Sequence, residues 1–140
     1  MNFRDVINKR RSVRKFSNKV VDFKLVDEAI EMARKCPSAG AIRGYDAIIT
    51  TERVVGIDAP VYVVICANPE AYARRYGDRG RDLYAIQDSA VFCAYIQLAL
   101  VDIGLDSCWV GAFNEGRIKK ALNIELRPVA ILAIGYRLNS

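Results

Sequence analysis

Histidine is absent from the 140-residue chain. That excludes imidazole general-base catalysis, triads built on histidine and histidine proton shuttles. The four cysteines, Cys36, Cys66, Cys93 and Cys108, form no C-x-x-C pair, so no metal site is expected. In a reducing compartment each reads as a small buried apolar residue, and any redox chemistry has to come from a bound cofactor. Neither of the glycine-rich phosphate motifs, G-x-G-x-x-G or the P-loop, occurs, which disfavours a Rossmann or P-loop protein. No apolar run is expected to reach the roughly 20 residues of a bilayer span. The charged N-terminus lacks the apolar stretch of a signal peptide, so the expected location is the cytoplasm.

What is present is the composition of a folded domain. Apolar residues at 52% offset chain entropy and exclude a disordered tail, and the length fits one domain over residues 1–140. The balance of 21 basic against 16 acidic residues, net +5, points to an anionic partner without saying which.

Asn2 is placed to cap a short helix ending near Arg10. Asp22 precedes an amphipathic helix to about Cys36, with Leu25, Val26, Ala29, Ile30 and Ala33 on one stripe and Pro37 as its stop. A short strand follows over residues 46–51. Residues 61–67, Val-Tyr-Val-Val-Ile-Cys-Ala, are apolar on both faces, as in a strand covered on both sides. After a charged stretch from Glu70 to Asp82, residues 83–103 read as a helix apolar nearly all round and ending at Gly104. Asn114 caps a helix to Leu122, and Pro128 opens a last strand over residues 129–136. The expected class is α+β in a three-layer α/β/α arrangement, with a small mixed sheet around a long buried helix. So long an apolar helix in so short a chain also invites dimerisation.

Three segments carry candidate chemistry. Lys9-Arg10-Arg11-Ser12-Val13-Arg14-Lys15-Phe16 gathers guanidinium forks, a hydroxyl and backbone amides, suited to a phosphate or a polarised heterocycle. A solvated helix end is the alternative. Pro37-Ser38-Ala39-Gly40 offers small side chains over which backbone can approach a planar ligand, or is simply a loop after a helix stop. In Cys108-Trp109-Val110-Gly111-Ala112-Phe113, Gly111 and Ala112 could bring a backbone N–H to a ligand atom, while Trp109 could merely pack in the core. The arginines at 74, 75, 79 and 81, with Tyr72, Tyr76 and Tyr84 among them, fit a solvated loop, a single-strand nucleic-acid platform or a mobile cover over a pocket, with residues 76–81 as the cover. Nucleic acid is the poorest of these readings, and neither nucleic acid nor a membrane is an expected partner.

Taken in order, the pieces resemble the FMN-dependent nitroreductase family. The resemblance runs through Arg10-Arg11-Ser12-x-Arg14-x-Phe16, Pro37-Ser38-Ala39-Gly40, Asp58-Ala59-Pro60, Leu83-Tyr84-Ala85-Ile86-Gln87-Asp88-Ser89-Ala90, Gly104-Leu105-Asp106-Ser107-Cys108-Trp109-Val110-Gly111 and Ala133-Ile134-Gly135-Tyr136. It implies an FMN-binding fold in a homodimer with two flavin sites at the interface. Arg10 and Arg11 would meet the pyrimidine edge and ribityl chain, and Ser12 and Arg14 the ribityl–phosphate end. Pro37, Ser38 and Ala39, continued by Gly40 and Ala41, would pack on the isoalloxazine from the partner subunit. Trp109, Val110, Gly111 and Ala112 would lie near flavin N5. NAD(P)H would deliver hydride to the flavin, which passes it in a ping-pong cycle to an electron-poor small molecule such as a nitro compound or quinone. No side chain of the protein would itself be catalytic, and no metal is implied. A flavin store or sensor without efficient turnover is the alternative.

The chain departs from the family pattern in places. Ala41 stands where an asparagine is usual, Arg43-Gly44-Tyr45 replaces a Gln-Pro-Trp-like stretch, and Val55 falls where some relatives have a phosphate-binding lysine. The sequence stops at Ser140, where many relatives continue into an arm that wraps the partner, so the chain resembles a short, C-terminally truncated member. Arg137 is then the expected remnant of that arm's basic contacts.

Overall fold

The computed structural model describes residues 1–139. Its elements run α1 (Phe3–Lys9), α2 (Phe23–Ala33), a 3-10 turn (Ala39–Ala41), β1 (Tyr45–Thr50), β2 (Val61–Ala67), α3 (Pro69–Arg79), a π-helical turn (Gly80–Tyr84), α4 (Ala85–Ile103), β3 (Asp106–Val110), α5 (Glu115–Leu122) and β4 (Arg127–Gly135). The class is α+β, as the pattern of apolar residues predicts.

Local chemistry explains most of the boundaries. Asn2 and Asp5 close a reciprocal capping box on α1. The Asp22 carboxylate accepts from the Lys24 amide at the start of α2, and the Asn114 side chain accepts from the Arg117 amide at the start of α5. Gly104, at φ +103, ends α4 in the left-handed conformation that glycine adopts without steric cost.

The sheet has the order β1-β2-β4-β3, and all three strand pairs are antiparallel. The expected mixed sheet is corrected on this point. β2 and β3 flank the long helical crossover and point the same way, but β4 inserts between them and pairs antiparallel with both. Parallel pairing is confined, among the described residues, to the isolated bridge between Ser12 and Ser107. Pro128 has no N–H to give the ladder, and the register slips there: Ile65 faces Ala130 whereas Cys66 faces Pro128.

Every residue of β2 is buried. On one face Val61, Val63 and Ile65 pack with Val26, Ala29 and Ile30 of α2 and with Phe92, Ile96 and Leu100 of α4. On the other, Tyr62, Val64 and Cys66 pack with Ile118 of α5 and with the loop residues Val54, Val55 and Ile57. Two covered faces make the three layers. Full burial of one such side chain contributes roughly 1.5–3 kcal/mol, so the middle of the sheet carries much of the stability.

The charged stretch after β2 is helical, which corrects its reading as a loop. Asn68 and Pro69 begin α3, proline sitting where a helix has no use for its missing N–H, and Tyr72 is the buried anchor. Helical structure then continues through the π turn into α4. This continuous stretch, Pro69–Ile103, contains a window of mean hydropathy 1.3 and is long and apolar enough to cross a membrane by length and composition alone. The expectation that no run reaches that length is therefore corrected. Half of that window is buried inside the structure, where α4 packs against α2 and the sheet as a core helix.

Candidate functional site

The sequence candidates fall into two groups at different places along α4. The first gathers around the strap that follows α1. Val13 donates its backbone N–H to the Ser107 carbonyl at 3.0 Å, and Ser17 does the same to Tyr136 at 2.8 Å. The Leu138 amide in turn donates to the Lys15 carbonyl at 3.0 Å. These bonds lay residues 12–17 along the ends of β3 and β4. Arg11, Ser12, Arg14, Lys15 and Arg137 consequently line one groove of about 380 Å³. Arg10 is the half-buried C-cap residue of α1 beside it.

Among the described residues, Arg10, Arg11, Arg14 and Lys15 have no carboxylate within ion-pair distance. Arg137 differs. Its fork donates to both oxygens of Asp106 at 3.0 Å each, and that contact holds the guanidinium pKa above its ordinary value. The expected remnant of a basic arm is thus already neutralised, and the net positive face of the groove comes from the strap.

β3, which the sequence pattern does not single out, joins this group to the segment after it. Ser107 bridges to Ser12, and Gln97 of α4 donates to the Ser107 hydroxyl at 3.1 Å, fixing the helix to the strand. Trp109 is 36% exposed, which removes it from the core and leaves its indole on the surface. Val110 is half-buried, and Gly111 and Ala112 are exposed just beyond it. Chain neighbours aside, a Cβ at Gly111 would meet the Trp109 indole nitrogen at 3.9 Å, an ordinary contact, so this exposed backbone is not sterically crowded.

The second group is the turn after α2. Pro37, Ser38 and Ala39 line an open hollow of about 590 Å³ together with Tyr84, Gln87 and Val91. A buried carboxylate holds this turn. Asp88 Oδ2 accepts from the Ser38 hydroxyl at 2.6 Å, the Tyr72 hydroxyl at 2.8 Å and the Ala39 N–H at 3.1 Å. Tyr72 is completely buried and also accepts from the Gly44 N–H at 3.0 Å. Burial first, then the bond to Asp88, push the Tyr72 pKa above the tyrosine range, so the hydroxyl remains a donor. Asp88 therefore ties Pro37–Ala39 to α3 and α4 at once. The Ser38 hydroxyl, which also accepts from the Arg43 amide at 2.9 Å, is engaged within the protein and presents little to a ligand.

The same turn contains three left-handed residues close together, Gly40 at φ +54, Ala41 at +55 and Arg43 at +53. Non-glycine residues there cost on the order of 1–3 kcal/mol each, and such strain persists only where surrounding contacts enforce it. Gly40 is enforced sterically, since a Cβ would lie 2.5 Å from Arg75 Nη1 and 2.7 Å from the Tyr76 hydroxyl. Arg43 is enforced by its own guanidinium, which donates to the Arg34 and Cys36 carbonyls at the frayed end of α2 and to the Tyr45 hydroxyl. Sequence reasoning missed Asp88 as a site residue. Its signal was a carboxylate in the first turn of a largely apolar helix, where of the two aspartates of α4 only Asp88 is buried.

The two groups line separate hollows with no residue in common. Asp88 and Gln97 are two and a half turns apart on α4, about 13 Å along its axis. All four cysteines are buried free thiols, with burial pushing Cys66 up to about 12 and raising Cys93 above the ordinary thiol range. No cluster of metal-ligating side chains occurs among the described residues.

The chain is similar in sequence and fold to known proteins. Residues 7–55 and 51–136 match the model of the Nitroreductase family. The fold superposes on a nitroreductase family protein from Clostridium novyi NT with a TM-score of 0.86, at 30% identity over 99% of this chain and 87% of that one. A nitroreductase family protein from Streptococcus pneumoniae TIGR4 gives a TM-score of 0.89, at 22% identity over 99% and 92% of the two chains. A protein provisionally named NADH dehydrogenase/NAD(P)H nitroreductase from Methanothermobacter thermautotrophicus is 25% identical over 97% of this chain and 78% of its own length. With sequence and fold both aligned over nearly the whole chain, the protein belongs to the Nitroreductase family and is an oxidoreductase of that type.

Proposed function

We propose that the protein is an FMN-dependent NAD(P)H oxidoreductase that works as a homodimer. The observation that carries this reading is the groove of Arg11, Ser12, Arg14 and Lys15, whose cations have no carboxylate partner among the described residues and which the Ser12–Ser107 bridge joins to β3, the strand that leads to the exposed backbone at Gly111. An anionic, partly planar ligand satisfies both halves of that arrangement, and the residues fit FMN. Arg14 and Lys15 would hold the phosphate, with Ser12 as a hydroxyl partner, and Arg10 and Arg11 would face the pyrimidine edge and ribityl chain. A cation at that edge stabilises negative charge developing on the ring. When bound there, the flavin would supply two-electron chemistry, taking hydride from NAD(P)H and giving it to an electron-poor acceptor such as a nitro compound or quinone.

The protein's own part is position, electrostatics and exclusion of water. Pro37–Ala39 present a small, flat surface held rigid by Asp88. They line a hollow that shares no residue with the groove, and in this reading they cover the flavin of a second copy. Exposed apolar residues Met1, Phe3, Met32 and Tyr95 lie along the α1, α2 and α4 faces and supply area for that contact.

The test is an absorbance spectrum of the purified protein, mass spectrometry of the released cofactor, and light scattering at micromolar concentration. A flavin spectrum with FMN mass and a dimer is expected. FAD, no flavin after reconstitution, or a stable monomer would contradict the reading.

A further inference from the structure

Beside the hollow at Pro37–Ala39 stand two arginine–tyrosine pairs. The Arg75 guanidinium lies 5.2 Å from the Tyr76 ring centre and donates to the Gly40 carbonyl at 3.3 Å. The Arg79 guanidinium lies 5.6 Å from the Tyr84 ring centre and donates to the Tyr84 hydroxyl at 3.2 Å. The two tyrosines meet edge to face with centres 5.1 Å apart, and Tyr84 is itself part of the wall of the hollow. The backbone between the pairs leaves helical geometry at Gly77, with φ +61 and ψ −142.

The charges of this segment are sorted. Arg81 is neutralised by Glu70 at 2.8 Å and Asp78 at 2.7 Å. Among the described residues, Arg75 and Arg79 have no carboxylate within ion-pair distance and are exposed. Two guanidinium groups without counter-charge therefore sit over two aromatic rings at the rim of the hollow. Arginine in this setting stacks on a planar partner and offers a fork to a carboxylate.

We infer that this rim selects a planar, aromatic and anionic acceptor, a nitroaryl or quinone carboxylate in preference to its neutral counterpart. The inference rests on the proposed oxidoreductase reading and names the acceptor class for the same site. Tyr84 supplies an aromatic wall and Arg79 and Arg75 supply the charge at its edge. The phosphates of NAD(P)H are the other anion that could meet these arginines. Arg81 is tied to two acids, whereas Arg74, Arg75 and Arg79 have no ion pair among the described residues, and of these three Arg75 and Arg79 are the ones joined to Gly40 and Tyr84 beside the hollow.

The experiment uses the full chain, flavin-loaded and flavin-free, with 4-nitrobenzoate and its neutral isostere 4-nitrobenzamide. Calorimetry without any electron donor reads binding, and steady-state kinetics read KM for each acceptor and for NAD(P)H. In the Arg75→Gln/Arg79→Gln variant, 4-nitrobenzoate should bind about tenfold more weakly and its KM should rise in step, the size of a lost contact to a charged group. Affinity for 4-nitrobenzamide and KM for NAD(P)H should stay within about twofold, and salt should narrow the wild-type preference. Arg117→Gln, which removes one charge from α5 on the opposite face of the sheet, should preserve the preference. Equal losses for both probes, no loss for either, or a change confined to KM for NAD(P)H would overturn the inference. Failure to take up FMN would instead contradict the proposed function, and the charge preference would still be read by calorimetry on the flavin-free chain.

Discussion

Asp88 is the most informative residue to perturb, because one oxygen carries almost the whole network. Oδ2 receives the Ser38 hydroxyl at 2.6 Å, the Tyr72 hydroxyl at 2.8 Å and the Ala39 amide at 3.1 Å, whereas Oδ1 receives only a longer arm from Ala39 at 3.3 Å. Asn with its carbonyl oxygen in the Oδ2 position keeps all three donors satisfied and exchanges charged bonds for neutral ones. Asp88→Asn should therefore cost only about 1 kcal/mol. Asp88→Ala leaves the hydroxyl of fully buried Tyr72 without its acceptor, removes the anchor of the Pro37–Ala39 turn and opens a void. Stranded donors cost roughly 1–3 kcal/mol each, but Ser38 is only half-buried and can turn to water, so about 3–5 kcal/mol in total is expected. For a chain of this size that is a fall in Tm of about 10–15 °C, against about 3 °C for Asn. Differential scanning calorimetry of the three proteins measures it. Equal losses for Asn and Ala, or a loss under about 1 kcal/mol for Ala, would refute the one-oxygen account.

Other expectations are simpler. Arg11→Ala and Arg14→Ala should each weaken FMN retention roughly tenfold, read by fluorescence on titrating flavin into stripped protein, because each removes a charge-assisted contact. Gly40→Ala should lower stability by about 1–2 kcal/mol in denaturant melts, since it adds a Cβ at φ +54 against Arg75 and Tyr76. Burial holds the Cys66 thiol protonated up to about 12, while an unfolded thiol ionises near 8.5, so this contribution to stability is complete below about 8.5 and is lost as pH rises toward 12. Stability that is flat between pH 9 and 11, or rapid alkylation of native Cys66 at pH 8, would contradict that sign.

Much of the fold was legible because burial writes a period into the chain. The stripe Val26, Ala29, Ile30 and Ala33 gives α2, and the unbroken apolar run gives β2, which is buried at every residue. The segment 69–79 reads as a charged loop because its arginines dominate the composition, yet one face carries Tyr72 into the core and that suffices for a helix. β3 escaped notice as a five-residue strand with only Ser107 and Cys108 buried. Partners distant in sequence explain the rest. Asp88 meets Ser38 fifty residues away, and no local pattern announces such a contact. Arg137 looks like a free cation until Asp106 is brought beside it. The motif at Arg10–Arg14 was legible as chemistry, but only the bonds of Val13 and Ser17 to β3 and β4 show why its cations share one groove.

The central claim is turnover through a bound flavin, and anaerobic titration of the purified protein with NADH and then NADPH, followed at the flavin's visible absorbance, tests it most directly. The account predicts bleaching at one equivalent of nicotinamide per flavin, and full recovery of the spectrum when 4-nitrobenzoate or a quinone is added. A flavin that stays oxidised with both nicotinamides, or one that bleaches and is not restored by any electron-poor acceptor, would contradict it.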